Sequence, residues 1–189
     1  MKLDAKQLRI TKPSDEQLAK IIRKPLWIVL DNVLDTYNIG GIFRLAEATT
    51  ASGVILCGGS ETPPSSRIHK AAVGTEEWVP WRYFSSAKEA LLELKSQHSE
   101  LQIIAVEQDK AAVDLDKLNG LIDLGRPVAI VVGHETEGVS REVLDMADMI
   151  VEIPMWGVNK SLNVIVSTAI VAYQVLHGGK GSVNRFSLW

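Results

Sequence analysis

The chain is short of the residues that would commit it early to a chemistry. It has a single cysteine, Cys57, which excludes an intramolecular disulfide and any zinc site built from several cysteines. Cys57 closes the apolar run Val54-Ile-Leu-Cys57 and reads as a buried structural thiol, not a nucleophile. There is no excess of positive charge: the formal net charge is -3, which argues against a uniformly basic nucleic-acid binder but allows a local patch. No apolar signal-peptide core opens the chain and no run approaches the length of a membrane span, so the expected compartment is the cytoplasm. The four histidines, His69, His98, His134 and His177, show no metal-ligand spacing and no His-Glu-x-x-His occurs, so no metal is expected. Two nucleotide signatures are also missing. Gly133-His-Glu-Thr-Glu-Gly138-Val139-Ser140 has the glycine spacing of a P-loop, but Val139 stands where lysine is needed, and Glu135 and Glu137 would repel phosphates. No Gly-x-Gly-x-x-Gly follows the first strand. There is no repeat, no obvious catalytic triad and no linker able to divide the chain.

What is present suits one domain: 189 residues, 46% hydrophobic and 23% charged, enough for one sizeable core. Charge is unevenly spread, with seven Lys/Arg against three acids in residues 2–24 and four against eight in residues 88–123. Residues 1–24 read as a basic extension, 25–177 as the folded domain, and 178–189 as a tail whose Phe186 and Trp189 are available for docking. Ser14-Asp-Glu-Gln17 and Ser86-Ala-Lys-Glu89 are capping-box patterns that open helices. Leu26–Leu30, Gly53–Cys57, Leu101–Val106, Val128–Val132 and Met149–Ile153 are apolar runs of strand length, and Trp78–Phe84, broken by Pro80, suits an edge strand. Gly58–Arg67 reads as a mobile loop beside a small basic cluster, Arg67, His69 and Lys70. The alternation predicts an α/β fold, a mostly parallel sheet with helices on both faces, with ligands at the carboxyl ends of the strands.

The last helix is unusual. It is expected to run from an N-cap at Ser161 to Leu176, and its polar residues Asn163, Ser167 and Gln174 lie within about 40° of one another at 100° per residue. The rest is mostly apolar, which predicts burial nearly all round and a partner subunit covering one side.

Three strand-to-helix junctions share the carboxyl edge of such a sheet: Asp31–Arg44, Gly133–Ser140 and Pro154–Asn163. Their candidate residues have ordinary readings singly. Asn38 and Ser161 could be N-caps, Arg44 a solvated helix residue, and Glu135 a cap for nearby backbone donors. Ser140 is expected to cap a short helix. Gly40 and Gly41, in the first turn of the helix expected from Asn38, suggest close approach of a backbone or a ligand.

Together, Asn38-x-Gly-x-x-x-Arg44, Gly133-x-Glu135-x-x-Gly138 and Ile153-Pro-Met155-x-Gly157-x-x-x-Ser161-Leu162-Asn163-Val resemble the three motifs of the SpoU, or TrmH-like, RNA ribose methyltransferases of the SPOUT class. The resemblance runs from about Pro25 to Leu176. It implies a C-terminal trefoil knot made from the second and third motifs, a fold that physics alone would rank as nearly forbidden. It further implies S-adenosylmethionine held there by Gly133, Ile153, Met155 and Leu162, with a side chain at position 133 obstructing the ligand. By the same resemblance Arg44, Asn38, Glu135, Ser161 and Asn163 form the catalytic set, and the acceptor is the ribose 2′-hydroxyl of tRNA or rRNA. A homodimer through the C-terminal helix is implied as well. His134 and Ile165 depart from the family pattern, where asparagine and serine are frequent. The short extensions lean toward tRNA. The alternatives are an inactive RNA- or S-adenosylmethionine-binding module and an RNA base methyltransferase. Residues 2–24 and Arg67–Lys70 are the candidate RNA-backbone contacts.

Overall fold

The structure is a computed structural model that describes residues 12–123 and 125–177. The basic extension before Lys12 and the tail with Phe186 and Trp189 lie outside the described residues. The strands are β1 (Lys24–Asp31), β2 (Ala51–Cys57), β3 (Trp81–Phe84), β4 (Gln102–Val106), β5 (Val113–Asp114), β6 (Val128–Gly133) and β7 (Met149–Glu152). They form one sheet in the order β3-β2-β1-β6-β4-β7-β5, and every pairing is parallel. As expected, the strand after Pro80 sits at the edge. The two-residue β5 was not foreseen: a piece that short leaves no alternation to read.

The helices are α1 (Asp15–Ala19), α2 (Thr36–Ala48), α3 (Ser66–Ala72), α4 (Ala87–Gln97), α5 (Leu118–Leu121), α6 (Arg141–Leu144) and α7 (Val164–His177). Adjacent β1 residues serve opposite faces. Leu26, Ile28 and Leu30 pack with Ile39, Ile42 and Phe43 of α2 and Val171 and Val175 of α7, whereas Val29 packs with Leu91 and Leu94 of α4 and Val143 of α6. This explains the uninterrupted apolar runs: a strand covered on both faces has no polar side to alternate with.

Two of the helix starts differ from expectation. Helix α2 begins before Asn38, at Thr36, because the Asp35 side chain accepts from Tyr37 N and makes the cap. Helix α7 begins three residues after Ser161, where Asn163 Oδ1 accepts from Ile165 N at 2.9 Å. Ser14 and Ser86 do cap α1 and α4, but no side-chain cap comes from Ser140. Arg67, His69 and Lys70 lie within α3, which begins at Ser66, so the loop before it ends earlier than expected.

Cys57 is fully buried, and burial, followed by the charges of Asp31 and Glu89, pushes its thiol up to about 12. It is therefore a thiol at neutral pH, and a disulfide reagent such as Ellman's should label it only at the rate of unfolding. Rapid labelling of folded protein would contradict this burial. Among the described residues, no helix is long and apolar enough to cross a membrane.

Candidate active site

The register sets the geometry first. Asp31, the last residue of β1, pairs with Gly133, the last of β6, and Val106 of β4 pairs with Val151 of β7. The loops that follow these strands therefore emerge side by side on one edge.

The loop after β6 folds onto itself. His134 N donates to Gly138 O at 3.0 Å and Gly138 N to His134 O at 2.9 Å. His134 Nδ1 accepts from Thr136 N at 3.0 Å and Glu137 N at 3.2 Å, which requires that nitrogen to carry no proton. Gly138 takes a φ of +74°, which favours glycine. The loop is pinned to neighbouring strands by two carboxylates: Glu107 Oε2 accepts from Val139 N at 2.8 Å, and Asp31 Oδ2 from Ser140 N at 2.8 Å. A Cβ on Gly133 would meet Gly138 C and O at 2.1 Å. The returning backbone by itself thus requires glycine at this position.

Glu135 joins this loop to the first junction. Its Oε1 accepts from Asp35 N at 3.0 Å and from Asn38 Nδ2 at 2.9 Å, and its Oε2 from Leu34 N at 3.2 Å. Asn38, 3% exposed, passes the link on: its Oδ1 accepts from Asn163 Nδ2 at 2.9 Å, and Asn163 caps α7. One line of hydrogen bonds thus spans all three junctions. Partial burial disfavours the Glu135 charge, but the donors of Asn38, Asp35 and Leu34 outweigh it and hold its carboxyl below the usual value.

A depressed folded value means that this contribution to stability is complete above the unfolded pKa, about 4.3, and is lost as pH falls through the lower folded one. The unfolding free energies of wild type and Glu135→Gln should accordingly differ by a constant amount at neutral pH and converge in acid. Curves that stay parallel down to acid pH would show that the charge of Glu135 contributes nothing.

Helices α2 and α7 also touch directly. A Cβ on Gly41 would meet Ile165 Cδ1 at 2.4 Å, and one on Gly40 would meet Ala71 Cβ of α3 at 2.5 Å. Both glycines answer to neighbouring helices, so the close approach expected from sequence is to protein.

Beside this framework lies a cavity of about 260 Å³ at the carboxyl ends of β4, β6 and β7. Val106, Val132, Val151, Ile153, Met155 and Leu162 give it apolar walls; Glu107, Glu135, Glu137 and Glu152 border it against one lysine, Lys160. Gln108 Nε2 donates to Lys160 O across its lip. Of the residues singled out from sequence, Gly133, Glu135, Ile153, Met155, Ser161 and Leu162 border the cavity. Asn38 and Asn163 reach it through Glu135. Arg44 does not border it: it is exposed on α2, six residues beyond Asn38, with no hydrogen-bond or ion-pair partner among the described residues. Sequence reading missed Glu107, Gln108, Glu152 and Lys160. The first three sit at strand carboxyl ends, and that position alone could have marked them.

Within the single chain, helix α7 is buried on one side and open on another. Thr168, Val171, Ala172 and Val175 are buried, but Val166, Ile170 and Tyr173 are 45%, 36% and 45% exposed, one apolar stripe at helical spacing.

Comparison with known proteins agrees with this arrangement. Residues 25–173 match the SpoU rRNA Methylase family. The 23S rRNA (guanosine-2'-O-)-methyltransferase RlmB of Haemophilus influenzae is 32% identical over 168 residues, covering 89% of this chain and 65% of that protein; the chain thus spans just under two thirds of that relative. Among solved structures, the A. aeolicus TrmH/SpoU tRNA modifying enzyme superposes with a TM-score of 0.72 at 29% identity, covering 90% of this chain and 80% of that one. The AdoMet-bound rRNA methyltransferase from Sinorhizobium meliloti gives 0.72 at 27% identity, covering 89% and 59%. With its three motif loops joined beside one cavity and the match extending over most of its length, the chain belongs to the SpoU rRNA Methylase family.

Proposed function

We propose that this protein is an S-adenosylmethionine-dependent RNA methyltransferase that modifies a ribose 2′-hydroxyl of tRNA or rRNA. The observation that carries this reading is the line Glu135–Asn38–Asn163, which ties the three motif loops together at the rim of the cavity. The relatives support it: the H. influenzae protein is named for 23S rRNA guanosine 2′-O-methylation, the A. aeolicus protein for tRNA modification, and the S. meliloti structure for bound AdoMet.

The cavity fits such a donor. It offers apolar walls for an adenine ring and an acidic border for a cationic sulfonium. Bound there, S-adenosylmethionine would supply an electrophilic methyl group. Gly133 and the closed loop behind it, with Ile153, Met155 and Leu162, would hold it. Arg44 holds the adjacent RNA phosphate and stabilises the developing alkoxide. A guanidinium with a pKa above about 12 is poorly suited to be the base. Asn38, Ser161 and Asn163 orient Arg44 and the ribose, and Glu135 braces the loops. Alignment of the hydroxyl with the methyl supplies much of the acceleration.

In this reading residues 133–140 and 154–163 are threaded as a trefoil knot, and two copies meet across the stripe Val166, Ile170 and Tyr173 of α7. Arg67 and Lys70 of α3 contact the RNA backbone, as does the basic N-terminal extension, and the protein acts in the cytoplasm. Nucleoside mass spectrometry of total RNA with and without the gene tests the activity. Loss of a 2′-O-methylated nucleoside is expected; loss of a base-methylated one, or no change, overturns it. Sedimentation should give a dimer that Ile170→Asp converts to monomer.

A further inference from the structure

We propose a binding site for a divalent transition metal of the zinc class at the corner between α3 and the turn Thr75–Glu77 that follows it, formed by His69, Glu76 and Glu77. One ligand atom from each lies within 4.8 Å of the other two. His69 Nδ1 is 2.6 Å from Glu76 Oε1 and 3.7 Å from Glu77 Oε1. Tetrahedral ligands at about 2.1 Å from zinc stand roughly 3.4 Å apart. The first falls about 0.8 Å short of that value and the second about 0.3 Å beyond it, so side-chain shifts of under about one ångström bring these two pairs to ligand spacing. None of the three residues borders the cavity described above.

An ion pair between His69 and Glu76 would by itself explain the shorter contact, but it leaves one atom unexplained. Glu76 is 7% exposed, and its Oε2 is buried with no hydrogen-bond partner among the described residues. A desolvated carboxylate oxygen without a donor is costly, and a cation on that carboxylate removes the cost. Glu77 pairs with Lys12 through Oε2, which leaves Oε1, the atom nearer His69, for the ion. Metal binding at His69 requires Nδ1 as the free lone-pair donor. Three protein ligands leave the remaining position to water. The six residues between His69 and Glu76 cross a helix end and a turn, which no motif spacing would reveal.

The site is tested by titrating the untagged full-length protein with ZnCl2 by calorimetry and with CoCl2 by visible absorption, beside His69→Ala and Glu77→Gln. Both side chains are partly solvent-exposed, at 57% and 30%, so the variants should fold, which circular dichroism checks. The expected result is a single Zn2+ per chain, a Co2+ band of tetrahedral character, a raised unfolding midpoint with metal, and affinity weakened about a hundredfold or more in each variant. No uptake by the wild type, or uptake unchanged in both variants, overturns the proposal.

Discussion

Replacing Arg44 by alanine is expected to slow single-turnover methyl transfer about a hundred- to a thousandfold, the range found when one donor to a developing oxyanion is removed. Lysine at this position should recover part of the loss. It retains the charge but not the planar fork that grips a phosphate through two parallel hydrogen bonds. The guanidinium takes no part in the fold among the described residues, so the thermal midpoint of Arg44→Ala should match that of the wild type. Because Arg44 does not border the cavity, the affinity for S-adenosylmethionine measured by calorimetry should match as well. Loss of rate with neither stability nor donor affinity changed would identify a group that acts on the acceptor side. Near-normal rates in both variants would eliminate Arg44.

Replacing Gly133 by alanine should do the opposite, disrupting the donor side and the fold together. The added Cβ would stand 2.1 Å from Gly138 C and O and 2.2 Å from Val139 N. All of these are backbone atoms, held by the paired hydrogen bonds between residues 134 and 138 and by Glu107. No rotamer change can relieve such a contact, so either the end of β6 or the whole loop must move. A cost of about 2–4 kcal/mol is expected, read by denaturant unfolding, with donor affinity reduced at least about tenfold. Gly41 offers an instructive contrast: its clash is with the end of the Ile165 side chain, which can rotate aside. Gly157, with nothing within 4 Å of a Cβ, should tolerate alanine within about 0.5 kcal/mol. A stable, donor-binding Gly133→Ala variant would contradict the loop geometry.

These two residues also show what could and could not be read from the sequence. The strands of the sheet were legible because a doubly covered parallel strand is written as an uninterrupted apolar run, as in Ile28–Leu30 and Val128–Val132. Gly133 was legible as a required glycine, but the backbone that excludes a side chain there was not, because it returns from five residues further on. The helix starts at Asn38 and Ser161 were misplaced because Asp35 and Asn163, equally good caps, lie close by. The side chain of Asn38 serves instead to link Glu135 to Asn163, a partner 125 residues away. No local rule anticipates contacts at that separation. Arg44 was recognisable only as part of a motif, since its physical setting is that of any exposed arginine.

The border of the cavity has a consequence for turnover. Four acidic residues border it against a single lysine, and in the proposed reaction transfer of a methyl group from a sulfonium leaves a neutral thioether. The proposed reaction thus removes one positive charge from a pocket bordered mainly by acidic residues. Substrate and spent donor differ little in shape, so charge is the means by which this pocket can prefer one to the other. Inhibition by the product should therefore be weak, and removing an acid such as Glu152 should strengthen it relative to donor binding.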